Sequence, residues 1–191
     1  MLLNILKYPD PFLKTKAKTV DVVTDELREL LDNMLKTMYV EGGIGLAATQ
    51  VGVAKRVVVL DIPITTEDEY GDEQSEQGKN VLKLVNPVIT DESGETTYEE
   101  GCLSVPGVRA DVKRSAELRL QAMDEDGKDV EIHATGLLAI AIQHEVDHLN
   151  GVLFIDRLGL VKRDLIKRRL KKAAAAKAED IADAKAEKAV L

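Results

Sequence analysis

Residues 136–149 read Gly136-Leu137-Leu138-Ala139-Ile140-Ala141-Ile142-Gln143-His144-Glu145-Val146-Asp147-His148-Leu149. Thr135 stands ahead of this stretch as an N-cap, and Asn150-Gly151 follows it as a stop, so a helix is predicted over 136–149. Its first half is apolar nearly all round, which predicts burial. On such a helix His144 and His148 lie about 40° apart in angle and one turn apart in height. Both imidazoles can therefore address one metal ion. Glu145 falls between them in angle and can reach a water on that ion without ligating it, the H-E-x-x-H arrangement. Asp147 lies on the opposite flank of His144 and takes a structural role at most. Two imidazoles and a carboxylate on a buried helix are costly without partners. A metal is one such partner; a chance pair on an amphipathic helix is the plain alternative.

Upstream, strands come in runs. The segment 56–62, Arg-Val-Val-Val-Leu-Asp-Ile, reads as a buried strand by its β-branched content. Further strands are predicted over 81–89, with Pro87 near the end, and over 96–100. Two more, over 117–123 and 129–134, flank Asp124-Glu125-Asp126-Gly127, whose Asp-Gly end signals a hairpin. Near the N-terminus Thr24 caps a helix over 25–40 that carries Leu27, Leu30, Leu31, Met34, Leu35 and Met38 at helical spacing, closed by Gly42 and Gly43. The glycine-rich stretch 43–52 reads as a loop, and so does 64–80. A third helix starts near 160. Runs of strands with helices at both ends predict an α+β fold: antiparallel sheets packed around the helix that carries the H-E-x-x-H motif, plus a C-terminal helix. We expect one metal-hydrolase domain over 1–172 and a fraying Ala/Lys/Glu-rich tail over 173–191.

Composition narrows the function. The chain has 191 residues, 45% of them hydrophobic, enough for a single core. Its longest apolar run, residues 137–142, is too short to cross a bilayer. No secretory signal is evident, so a cytoplasmic location and no membrane partner are expected. A net charge of −8 suits the whole surface poorly to nucleic acid, and no DNA partner is expected. The charge is uneven. Residues 64–80 carry six acids against Lys79, a net −5; residues 162–172 carry seven bases against Asp164, a net +6.

A catalytic site on two histidines needs a third ligand and an open position. No histidine follows His148, and Glu179 and Glu187 lie in the tail. Cys102 is the attractive candidate, since a metal deprotonates a thiol outright. The sole cysteine of the chain, it lies in the turn-rich segment 100–107. A small buried apolar residue is its ordinary role. His133, in an alternating strand, reads as a surface residue outside the site.

Three separated motifs now agree in order and spacing: GIGLAATQ at 43–50, EGCLSVP at 100–106 and QHEVDHL at 143–149. The chain resembles the peptide deformylase family from about residue 2 to 170. The resemblance implies that Cys102, His144 and His148 hold one divalent ion with water in the fourth position. It implies that Glu145 takes the water proton and passes it to the leaving amine. It makes the Gln50 side-chain amide and the Leu103 backbone N–H the oxyanion donors. Gly43 and Gly45 then line the cleft, with Gly45 beside the reacting group. By the resemblance Ile44, Leu137, Ile140 and Ala141 match a pocket for the methionine side chain, with plain core as the alternative for each, and Arg109 matches a residue near the substrate backbone, with a solvated surface arginine as its alternative. The substrates that the resemblance implies are formyl-methionyl nascent peptides. The family usually works with Fe(2+); a Cys-His-His set also suits Zn(2+), Ni(2+) or Co(2+). The basic stretch 162–172, amphipathic through Leu165, Ile166 and Leu170, is a candidate for docking to the ribosome. Two other readings stay open: an H-E-x-x-H metallopeptidase in which Cys102 is incidental, and a non-catalytic ribosome-associated metal-binding protein.

Overall fold

Leu118, Leu120 and Ala122 face inward while Glu117, Arg119 and Gln121 face water, and this period of two makes β8 (Glu117–Met123) a strand with one wet face. The computed structural model of the chain describes residues 1–67 and 73–189. β9 (Asp129–Thr135) pairs with β8 through seven registered positions, from Glu117 opposite Thr135 to Met123 opposite Asp129. The turn between them places Gly127 at φ +80°, a conformation glycine adopts freely. β5 (Val81–Ser93), β2 (Val57–Asp61) and β1 (Gly45–Ala47) complete one antiparallel sheet in the order β1-β2-β5-β8-β9.

Both faces of this sheet are covered. All five residues of β2 are buried. Val57 and Val59 pack with Leu27, Leu31, Met34 and Met38 of α1 (Asp25–Val40). Val58 and Leu60 pack with Ala139, Ala141, Ile142 and Val146 of α2 (Gly136–Leu149). A second, two-stranded sheet of β6 (Thr96–Cys102) and β7 (Val105–Arg114) meets α2 through polar contacts. Its apolar side joins Leu13, Phe154 and Ile155, with Ile166 and Leu170 of α3 (Leu160–Ala189). α2 thus lies between the main sheet and the β6–β7 hairpin, which carries residue 102 to its histidines. Among the described residues no helix is long and apolar enough to cross a membrane.

Several local expectations change. The stretch 43–52 is no loop: β1 and a 3-10 turn, Ala48–Val51, occupy it, because Leu46 and Ala47 pair with Val59 and Val58. Within 64–80, β3 (Ile64–Glu67) and β4 (Glu73–Glu76) form a hairpin, while 68–72 lie outside the described residues. β5 runs past Pro87 to Ser93. The proline falls where the register shifts between Val85 and Val88, so its missing N–H breaks no regular pair. Asn86, at φ +54°, turns its amide onto the backbone of Val20, which holds the bulge. β7 gives no strand signal in the sequence, because Pro106 and Gly107 look like turn and its inward set ends on a charge, Arg114. Thr135 occupies the N-cap position of α2 without a side-chain capping bond. α3 continues into the Ala/Lys/Glu-rich segment as far as Ala189.

Candidate metal centre

α2 presents His144 and His148 one turn apart, and β6 ends on Cys102, so three ligand atoms gather from two elements. Those atoms all lie within 4.8 Å of one another. Cys102 Sγ is 3.2 Å from His148 Nε2. Bonds of about 2.0–2.3 Å to a tetrahedral ion would set such atoms about 3.5 Å apart. A thiol and two buried imidazoles at this separation fit a divalent ion.

His144 is held from behind. Its Nδ1 meets Glu100 Oε2 at 2.8 Å, which leaves Nε2 for the cradle. Glu100 accepts from Arg114 Nε and Nη2 at 2.6 and 2.9 Å. Arg114, its side chain 0% exposed, donates through Nη1 to Asp147 at 2.6 Å. Asp147 also accepts a two-point bond from Arg157, at 2.6 Å for each contact. Histidine, glutamate, arginine, aspartate and arginine therefore form one chain of paired charges. Burial works against the Glu100 carboxylate, yet Arg114 and His144 hold its pKa down at about 2. Burial likewise opposes charge on His144, but the Cys102 sulfur and the Glu100 carboxylate push its pKa well above the usual histidine range. Burial and the nearby His144 push the His148 pKa well below that range.

The cleft side differs. Glu145 is 4% exposed, and its Oε2 has no hydrogen-bond partner among the described residues. Burial, opposed by the charge on His144, pushes its pKa to about 7. Its Oε1 lies so close to β1 that a Cβ on Gly45 would fall 2.4 Å away; only glycine lets the strand pass here. Gln50 is oriented by Ala47 N–H, which donates to its Oε1 at 2.8 Å. Its Nε2 then points to Ser104 Oγ at 3.2 Å and Cys102 Sγ at 3.6 Å. The Leu103 N–H, in the two-residue turn after Cys102, finds no acceptor among the described residues.

These groups open on a cleft of about 900 Å³. Its walls bring together Gly43, Ile44, Gly45, Gln50, Cys102, Leu103, Arg109, Leu137, Ile140, Ala141, His144 and Glu145. His148, 1% exposed, is the ligand of the cradle that lies off the cleft surface. Arg109 is on the exposed lip, 3.8 Å from Glu99. His133 is exposed on β9, 3.7 Å from Glu117 and away from the cradle. Sequence reasoning passed over Glu100 and Arg114. Glu100 sits two positions before Cys102 in the strand, and that spacing places both on one face, a signal that could have been read. Arg114 gives no local sign, since its partners are far along the chain. Asp147 has the structural role expected, with both its partners named.

The family profile for polypeptide deformylase matches residues 2–164. A peptide deformylase of Stutzerimonas stutzeri is 51% identical over 174 residues, covering 90% of this chain and 95% of its own length. The crystal structure of peptide deformylase from Ehrlichia chaffeensis superposes with a TM-score of 0.82 at 36% identity, over 93% of this chain and 99% of that one. A Met-Ala-Ser-bound class I type b peptide deformylase from Acinetobacter baumannii gives 0.72 at 34% identity, over 83% and 99%. The profile match spans the glycine-rich strand, the cysteine hairpin and the histidine helix together, and the chain belongs to the polypeptide deformylase family.

Proposed function

We propose that this chain is a metal-dependent hydrolase that removes the N-formyl group from the formyl-methionine of nascent polypeptides. One observation carries the reading: the buried, unpartnered Glu145 Oε2 beside the Cys102-His144-His148 cradle, in a cleft that has Gln50 and Leu103 on its wall. A divalent ion there, Fe(2+) by family habit with Zn(2+), Ni(2+) or Co(2+) also suited to the donors, supplies Lewis acidity toward water and the formyl oxygen. Glu145 accepts the proton of the attacking water and returns it to the leaving amine. A carboxyl near neutrality serves both steps. The Gln50 amide and the Leu103 N–H donate to the oxyanion as it forms. Such donors act best when aimed before the reaction starts, and the Gln50 amide is already oriented by the Ala47 N–H. Ile44, Leu137, Ile140 and Ala141 offer an apolar wall to the methionine side chain. The Acinetobacter relative binds a peptide that begins with methionine. Arg109 on the lip reaches the substrate backbone.

A cytoplasmic site of action follows from the substrate. The 162–172 face of α3 is a candidate for docking to the ribosome: Ile166 and Leu170 turn to the core while Leu165 and most of the bases stay outward. The test is formate release from a formyl-methionyl peptide by anaerobically purified, iron- or nickel-loaded protein. Release that Glu145→Gln abolishes supports the reading. No release with one metal bound per chain would sink it. Cys102→Ala separates it from a metallopeptidase, for which the cysteine would be dispensable to metal binding.

A further inference from the structure

The two wall segments that hold the oxyanion donors are far apart in sequence: the 3-10 turn with Gln50, and the Leu103-Ser104 turn of the β6–β7 hairpin. A third segment stitches them together. Leu6 N–H donates to the Gln50 carbonyl at 2.8 Å, and Tyr8 N–H donates to the Ser104 carbonyl at 2.8 Å. Between them, Lys7 Nζ donates to the Leu103 carbonyl at 2.8 Å. The same ammonium lies 3.9 Å from Glu41, two residues before Gly43. At Gly43 the opposite wall meets the hairpin turn, for a Cβ there would sit 2.9 Å from Leu103 Cδ1.

A turn of two residues is fixed by its ladder only at its ends, and its peptide planes can still rock. The Leu103 carbonyl and the Leu103 N–H belong to adjoining planes that share one Cα. Holding the carbonyl restricts the rotation that would swing the N–H away. An ammonium makes a stronger bond to a carbonyl than a neutral donor does. Lys7 is about half exposed, so its bond is weaker than a buried one. It still spans both walls of the cleft, and an oxyanion hole is sensitive to displacements of about 0.5 Å.

We propose that Lys7 is a positioning residue for the oxyanion hole. Through the Leu103 carbonyl, and flanked by the Leu6 and Tyr8 bonds, it holds the Leu103 N–H and the Gln50 amide at a fixed separation. It is not among the residues that line the cleft. This inference rests on the reading of Gln50 and Leu103 as donors in deformylation.

The test uses the nickel-loaded full chain and its Lys7→Met and Lys7→Arg variants. Methionine keeps an unbranched apolar stem without the donor; arginine restores a charged donor. We expect kcat for a formyl-methionyl peptide to fall about 5- to 20-fold in Lys7→Met, less than deletion of an oxyanion donor itself costs. KM should stay within about twofold, with bound metal unchanged, and Lys7→Arg should recover most of the rate. Independently of activity, deuterium uptake in a peptide covering 101–106 should rise at least about threefold in Lys7→Met, with α2 unaffected. Unchanged kcat and unchanged exchange would overturn the proposal. So would a loss confined to KM, or one that Lys7→Arg does not recover. Should Lys7→Met unfold, Lys7→Gln carries the same comparison. If the wild-type protein itself releases no formate, the deformylase reading fails, while the exchange measurement still judges the clamp.

Discussion

The two sides of α2 treat charge in opposite ways. Behind His144, Glu100, Arg114, Asp147 and Arg157 satisfy one another bond for bond. In front, Glu145 is as deeply buried but has an oxygen with no partner among the described residues. A closed network fixes a ligand in place, because each member would strand the next by moving. An open carboxylate is costly in the folded state and useful to a reaction that delivers a proton to it. The difference teaches which residues hold the site and which act in it. Glu145→Gln should therefore lower kcat by about 10²- to 10⁴-fold while bound metal and thermal stability stay near wild type. Formate release and metal analysis on one sample check this. Loss of metal in Glu145→Gln would erase the distinction between the two sides.

The converse variant attacks the closed side. Arg114→Met leaves Glu100 and Asp147 buried with fewer partners, and such a break typically costs about 3–5 kcal/mol. Metal affinity should drop about 10- to 100-fold, as when any residue orienting a ligand is lost. Denaturant unfolding and a metal-competition titration measure the two effects. An Arg114→Met protein of wild-type stability would show the network to be incidental. Gly45→Ala probes the front more gently. Its new methyl would meet Glu145 Oε1 at 2.4 Å, an overpacking worth about 1–3 kcal/mol. We expect it to displace the carboxylate and lower kcat with metal content intact; unchanged kcat would mean that Glu145 has room to move without consequence.

How far this was legible in the sequence depends on where each signal lives. α1, α2, β2 and the β8–β9 hairpin carry their own periodicity, so they could be read locally. β1 and β7 could not. Leu46 and Ala47 become a strand only because β2 lies alongside, and Arg114 faces inward only because Glu100 and Asp147 await it there. The same division holds in the site. His144, Glu145 and His148 announce themselves by spacing on a helix. Cys102 emerged as a candidate from the lack of other ligands. Gln50, Leu103 and the apolar wall came with the family resemblance, because an amide in a glycine-rich stretch has no chemistry of its own to report. Lys7 carries no local sign of its contact, since its acceptor, the Leu103 carbonyl, lies 96 residues along the chain.

A paired acid nearer to water sharpens the contrast further. Asp156, in the 3-10 turn Phe154–Arg157, lies between Lys14 and Lys167 and accepts from Leu153 N–H, so it ties α3 to the body of the molecule. Burial works against its charge, but the bonds to Lys14 and Lys167 hold its pKa below the ordinary aspartate value. A lowered pKa means that the folded state favours the ionised form. The stabilisation is then complete above the unfolded value, near 4, and is lost as pH falls through the folded one. Asp156→Asn should cost about 1 kcal/mol at pH 7, at the scale of a partly exposed pair rather than of the Arg114 network. The gap between wild type and variant should close as pH falls below about 4 and through the lowered pKa of the folded state. Denaturant unfolding of both proteins at each pH measures it. A gap that stays constant with pH would mean that the carboxylate's shape, and not its charge, anchors α3. The rule drawn from α2, that paired charges here hold position and the unpaired one reacts, would then apply only to the fully buried acids.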